Sequence, residues 1–110
     1  MQKEAVQAFT ARITQASKSE LIVILYEMIL TEIKEAEEAF ERKDMEAFDK
    51  GLKQAQKYLG ELRAALDYRY KLAYDLASLY QYINERIINA MIRKKPDSLK
   101  SAVSVLQKLL

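Results

Sequence analysis

Between Met45 and Leu66, apolar residues recur at intervals of three and four without a break: Met45, Phe48, Leu52, Ala55, Leu59, Leu62 and Leu66. A strand needs a period of two, so this spacing commits the stretch to a helix. The average interval of 3.5 residues is that of the a/d seam in a left-handed helical bundle. A helix with one apolar stripe must bury it against others, so the rest of the chain has to supply partners. Gly51 and Gly60 interrupt good helix formers inside this stretch. Each costs about 1 kcal/mol relative to Ala, which reads as close helix contact, as mere tolerance, or as a shallow groove where a partner can approach.

The partners are legible. Ser17-Lys18-Ser19-Glu20 has capping-box spacing, and an apolar run from Leu21 follows it. Leu21, Leu25, Met28, Ile29, Ile33, Ala36 and Phe40 then keep a 3.6-residue stripe to about residue 42. Glu32, Glu35, Glu37, Glu38 and Glu41 fall on what that stripe marks as the wet side. Asp44 is placed to cap the seam helix, read as 44–67. A third stretch, 71–94, aligns Leu72, Leu76, Leu79, Ile83, Ile87 and Ala90. Pro96 ends it, and Asp97 is positioned to cap a fourth, 97–110. Breaks of a few residues suit antiparallel neighbours. The expected fold is an all-α, up-down-up-down four-helix bundle in a single domain. Residues 1–16 form an N-terminal cap segment, with Val6, Phe9 and Ile13 laid over the bundle.

Composition excludes most chemistry. The chain has no Cys and no His, which removes thiolate nucleophiles, disulfides, and the commonest general base and metal ligand. Two Gly and one Pro leave too few turn residues for a β fold. The acidic face offers paired carboxylates, but these act as acid and base only when burial separates their pKa values. The reading is therefore a non-enzyme without a cofactor or a metal. The first twenty residues carry Lys3, Glu4 and Arg12 and lack a secretory h-region. No apolar run approaches the ~20 residues that span a bilayer, so a cytoplasmic protein without membrane insertion is expected.

Charge is divided. Residues 27–49 hold nine acids and three bases, and residues 50–110 hold twelve bases and five acids. That dipole can orient a partner, yet it lacks the dense basic footprint of a nucleic-acid binder. Arg93-Lys94-Lys95, beside Pro96, reads as a solvated loop. The seven tyrosines exceed what a small bundle core needs, and most fall beside the seam positions. Tyrosine gives large contact area with a polar tip, which suits interfaces. The residues alone thus leave two readings open: a surface for a partner peptide or helix, or self-association as a structural bundle, with homodimerisation through the last helix and Leu109-Leu110.

Three strings in order carry a resemblance. Ala16-Ser17-Lys18-Ser19-Glu20-Leu21 with Leu25-Tyr26-Glu27 resembles the opening of the flagellin-specific export chaperone family FliS. Leu59-Gly60-Glu61-Leu62 with Leu66-Asp67, and Leu79-Tyr80-Gln81-Tyr82-Ile83 with Arg86-Ile87 and Ala90, are similar to its later segments. The chain departs from the pattern at Ala8, Ala11, Lys18 and Met28, where the family usually has Tyr, Asn, Pro and Gly. The resemblance implies a cytoplasmic four-helix bundle that binds the disordered C-terminal segment of flagellin, prevents its premature polymerisation, and aids delivery to the flagellar export gate. The partner contacts expected on that basis are Tyr58, Tyr80, Tyr82, Ile88 and Ile92. Val6, Phe9 and Ile13 of the cap segment are expected to cover part of the groove in the free protein.

Overall fold

The computed structural model describes residues 1–110 and contains five helices and no strand: α1 (Lys3–Gln15), α2 (Lys18–Glu41), α3 (Met45–Ala64), α4 (Lys71–Arg93) and α5 (Leu99–Leu109). Its extents are 43 × 30 × 19 Å. The smallest of these is close to two helix diameters of about 10 Å each, so the helices lie in two layers. α2 packs against α3, α5 and α1, α3 packs against α4, and α4 packs against α5. None of the helices is long and apolar enough to cross a membrane.

Helix starts follow the sequence closely. Ser17 Oγ accepts from the Glu20 N–H at 3.2 Å, and its hydroxyl donates to Glu20 Oε1 at 2.9 Å. Asp44 Oδ1 accepts from the Ala47 N–H at 3.1 Å, satisfying one orphan amide of α3. Asp97 does not cap α5. The cap position is Ser98, whose hydroxyl instead donates to the Arg86 carbonyl at 2.7 Å and ties the loop to α4. The cap segment is itself a regular helix, α1, and none of its residues is fully buried.

The ends of α2 and α4 were not foreseen. Lys43 (φ 62°) and Lys94 (φ 57°) are both left-handed. The Asp44 and Lys95 amides then reach back to the Ala39 and Ala90 carbonyls, a closing turn that usually employs glycine.

The core is built from the α3 seam. Phe48, Leu52, Ala55, Leu59 and Leu62 are all buried, and Met45 and Leu66 pack at its margins. They meet Leu25, Ile29, Ile33 and Ala36 of α2, Ile83, Ile87 and Ala90 of α4, and Leu99, Ala102 and Leu106 of α5 in one cluster. The stripe expected on α4 requires a correction in its first half. Leu72 is 64% exposed and Leu79 is exposed, whereas Ala73 and Tyr80 are inside. The helix is rotated there because the Tyr80 hydroxyl has a buried partner, the hydroxyl of Tyr26 at 2.6 Å, with the rings tilted 6.2 Å apart. Burial and this bond hold the Tyr80 phenol well above its ordinary pKa. Gly51 is placed so that an added Cβ would meet the Glu32 carbonyl at 3.4 Å and Ala36 Cβ at 3.5 Å, whereas Gly60 faces open space.

Two outcomes are expected from chemical denaturation. Gly60→Ala raises stability by roughly 0.5–1 kcal/mol, since only helix propensity changes. Tyr80→Phe strands the buried Tyr26 hydroxyl and costs about 1–3 kcal/mol. The double variant Tyr26→Phe/Tyr80→Phe recovers part of that loss.

Candidate functional site

Two regions remain where apolar or charged groups are not absorbed by the core. The first is α4. Its buried stripe is flanked by Leu72, Leu79 and Tyr82 along one edge and by Ile88 and Ile92, one turn apart, along the other; all five are exposed, Ile92 at 75%. The preceding corner adds Tyr68 and Tyr70, and Tyr68 packs edge-on against Tyr74 with ring centroids 5.0 Å apart. Arg69 clamps this corner, donating to both carboxylate oxygens of Asp67 and holding that carboxyl below its usual pKa. Apolar side chains left in water along most of a helix make a surface that gains by being covered.

The second region is a cavity of about 340 Å³ between α2 and α3, with α1 at its mouth. Gly51 and Ala36 bring the two helices close at one side, and Tyr58, half-buried, lines another. Glu32 lines the cavity at 1% exposure, which overturns the expectation that it lies on a wet face. The spacing explains it: Glu32 lies four residues after Met28 and four before Ala36, inside the buried stripe, on the side of α2 where Gly51 of α3 approaches. The ammonium of Met1 lies 3.3 Å from Oε1 of Glu32 and 3.3 Å from Oε1 of Glu35. Apart from this ammonium, Oε1 of Glu32 has no polar neighbour at hydrogen-bonding distance.

The electrostatics follow from burial. Desolvation raises the Glu32 pKa, and the attraction of the Met1 ammonium and of Lys50 offsets this only in part. For Met1, desolvation works to lower the ammonium pKa, but Glu32 and Glu35 pull it up further, so the net shift is upward. At the other end of α1, Arg12 donates to Glu27 of α2 and lowers its pKa. Both of these groups are largely exposed, and pairs of that kind contribute little.

The residues expected as partner contacts are thus divided. Tyr82, Ile88 and Ile92 are on the exposed edges of α4. Tyr58 is at the cavity beneath α1. Tyr80 is 2% exposed and belongs to the core, so the expectation of a surface contact there is corrected; its polar tip is satisfied internally. In α1, Phe9 packs against the core, while Val6 and Ile13 remain exposed. Tyr68, Tyr70 and Tyr74, read from sequence among the surplus tyrosines suited to an interface, are exposed at this corner. The burial of Glu32 was missed, although its spacing from Met28, Ile29 and Ala36 puts it inside the apolar stripe.

A regular all-helical body, with apolar ridges uncovered on one helix and a cavity that has its own first helix at the mouth, defines a helical module with surface left uncovered. The comparison with known proteins gives this class a family. The family model described as "Flagellar protein FliS" matches residues 1–110, and the chain belongs to the FliS family. It is similar to the "Flagellar secretion chaperone FliS" of Bacillus subtilis (strain 168), 31% identical over 81 residues, which make up 74% of this chain and 61% of that relative.

Because the folded-state pKa of Glu32 is raised, the folded protein holds this proton more tightly than the unfolded one. The resulting stability is present below the unfolded pKa and lost as pH rises through the folded one. Glu32→Gln removes the ionisation. Between about pH 4 and about pH 7, the variant is expected to gain stability relative to wild type in urea unfolding. A difference that is flat or that shrinks over this range contradicts the assignment.

Proposed function

We propose that this protein is a flagellar export chaperone that binds the disordered C-terminal segment of flagellin in the cytoplasm, keeps it from polymerising early and aids its delivery to the export gate. The observation that carries this reading is the family match over the whole chain. The curated relative's designation as a flagellar secretion chaperone supports it. The neighbour relations of α2, α3, α4 and α5 form a closed ring, which supports reading these four helices as an up-down-up-down bundle with α1 as its cap.

The physics of the surface fits the task. An assembly-prone tail exposes apolar side chains that self-associate, and ordering it costs several kcal/mol, so a large apolar surface must receive it. α4 offers two such edges, one with Tyr82 and one with Ile88 and Ile92. Short amphipathic helices of the client would seat on these ridges by helix-in-groove docking, joined by extended chain. α1 buries none of its own residues fully, so little apolar burial opposes its displacement, which opens the cavity at Tyr58 to the client.

Calorimetric titration with the cognate flagellin C-terminal segment is expected to give a Kd below about 10 µM, about −7 kcal/mol. Ile92→Asp and Tyr82→Glu are each expected to weaken binding by roughly tenfold or more while leaving the thermal transition in place, since both side chains are exposed. Deleting residues 1–14 is expected to strengthen binding several-fold, because the client no longer has to displace α1. Absence of binding by wild type overturns the chaperone reading. Unchanged affinity in both point variants overturns the placement of the surface on α4.

A further inference from the structure

Glu32 is the one charged side chain buried in the molecule, and neither the packing of the core nor the apolar surface of α4 accounts for it. Its carboxylate is at the cavity between α2 and α3, and its Oε1 has no polar neighbour at hydrogen-bonding distance other than the Met1 ammonium. The charged and titratable groups around it are Glu35 on α2, Lys50 and Tyr58 on α3, Arg42 at the end of α2, and the Met1 ammonium carried in by α1. Of the cations, only the ammonium lies within ion-pairing distance of Glu32; Lys50 is exposed and makes no such pair, and neither does Arg42. A buried carboxylate is costly without a partner, and removing the partner of such a charge is strongly destabilising. Whatever fills this cavity is therefore selected for positive charge.

We propose that Glu32 is a cation-recognition residue: in the free protein its carboxylate holds the Met1 ammonium, and when α1 is displaced it takes a lysine or arginine side chain of the incoming segment through the α2–α3 cavity. The second half rests on the chaperone reading; the first does not. Three further observations favour a long cationic side chain as the replacement. The cavity is about 340 Å³ and contains Tyr58, Ala36 and Gly51 among its walls, which suit the apolar stem of such a side chain. Glu35, 3.3 Å from the same ammonium, gives a second acceptor for a charge delivered there. The absence of a side chain at Gly51 leaves the wall against the Glu32 backbone clear, where a Cβ would already be in contact at 3.4 Å. The site thus favours a cationic client segment over a purely apolar one, which would leave Glu32 without a countercharge.

The test has two arms. In the first, untagged protein with a free Met1 amine, verified by mass, is labelled with limiting acetic anhydride near neutral pH, and acylation at Met1 is compared between wild type, Glu32→Gln and Glu32→Leu. The expected result is acylation roughly threefold or more faster in both variants, since the ammonium loses its strongest attraction, with helical circular dichroism unchanged. Equal reactivity in all three overturns the proposal. In the second arm, each Lys and Arg of the flagellin C-terminal segment is replaced by Met in turn and titrated against wild type and Glu32→Gln. One replacement is expected to weaken binding to wild type by about tenfold or more, as buried charge pairs do, and to change binding to the variant by less than about twofold. Replacements that act equally on both proteins overturn the client half. A segment that fails to bind wild type at all overturns the chaperone reading and the client half with it, and the acylation result still decides the site.

Discussion

The burial of α2 is the constraint on which the rest of the molecule depends. It is the most apolar helix, and it buries residues over two faces instead of one stripe. Covering it requires α3 along one side, α5 along another and α1 over the remainder. α4 makes no such broad contact with it; the Tyr26–Tyr80 hydroxyl pair links the two helices across the core. The consequences run in both directions. α3, α5 and the inner face of α4 pack tightly because they share the core around α2. The outer edges of α4 keep their apolar residues in solvent because no helix remains to cover them.

The same constraint explains why α1 is attached so lightly. It has no fully buried residue and is held by Phe9 packing, the Arg12–Glu27 pair and the contact of its amino end with Glu32 and Glu35. The Arg12–Glu27 pair is open to solvent and weak, and a half-buried ring contributes modestly, so the buried contact of the Met1 ammonium with Glu32 is the chief fastening. A helix fastened in this way is drawn from the low-stability end of the molecule, which suits an element that gives way to a client. The core it rests on need not change when it leaves.

Much of this was legible in the sequence where local rules decide the outcome. The α3 seam, the caps at Ser17 and Asp44 and the helix break at Pro96 depend only on spacing and nearby hydrogen bonds, and they appear where the pattern puts them. The failures are of more than one kind. Tyr80 reads as a surface aromatic until its hydroxyl is paired with one 54 positions away, and that pairing rotates the first half of α4 and exposes Leu72 and Leu79. Glu32 reads as wet by its residue type, although its spacing from Met28 and Ala36 places it inside the stripe that is buried. Lys43 and Lys94 occupy left-handed positions that no composition rule assigns to lysine. Within the candidate site, Tyr82, Ile88 and Ile92 were found as apolar residues off the main stripe. Tyr68 and Tyr70 of the aromatic corner were legible among the surplus tyrosines suited to an interface.

The central claim is that the uncovered edges of α4 and the cavity beneath α1 form one receiving surface for a disordered tail. Amide hydrogen exchange, compared between the free protein and its complex with the flagellin C-terminal segment, tests this most directly. The account predicts slower exchange in α4 from Tyr82 to Ile92 and in α3 around Tyr58, together with faster exchange throughout α1. Protection confined to α5 and the acidic face of α2, with α1 exchanging as in the free protein, would contradict it.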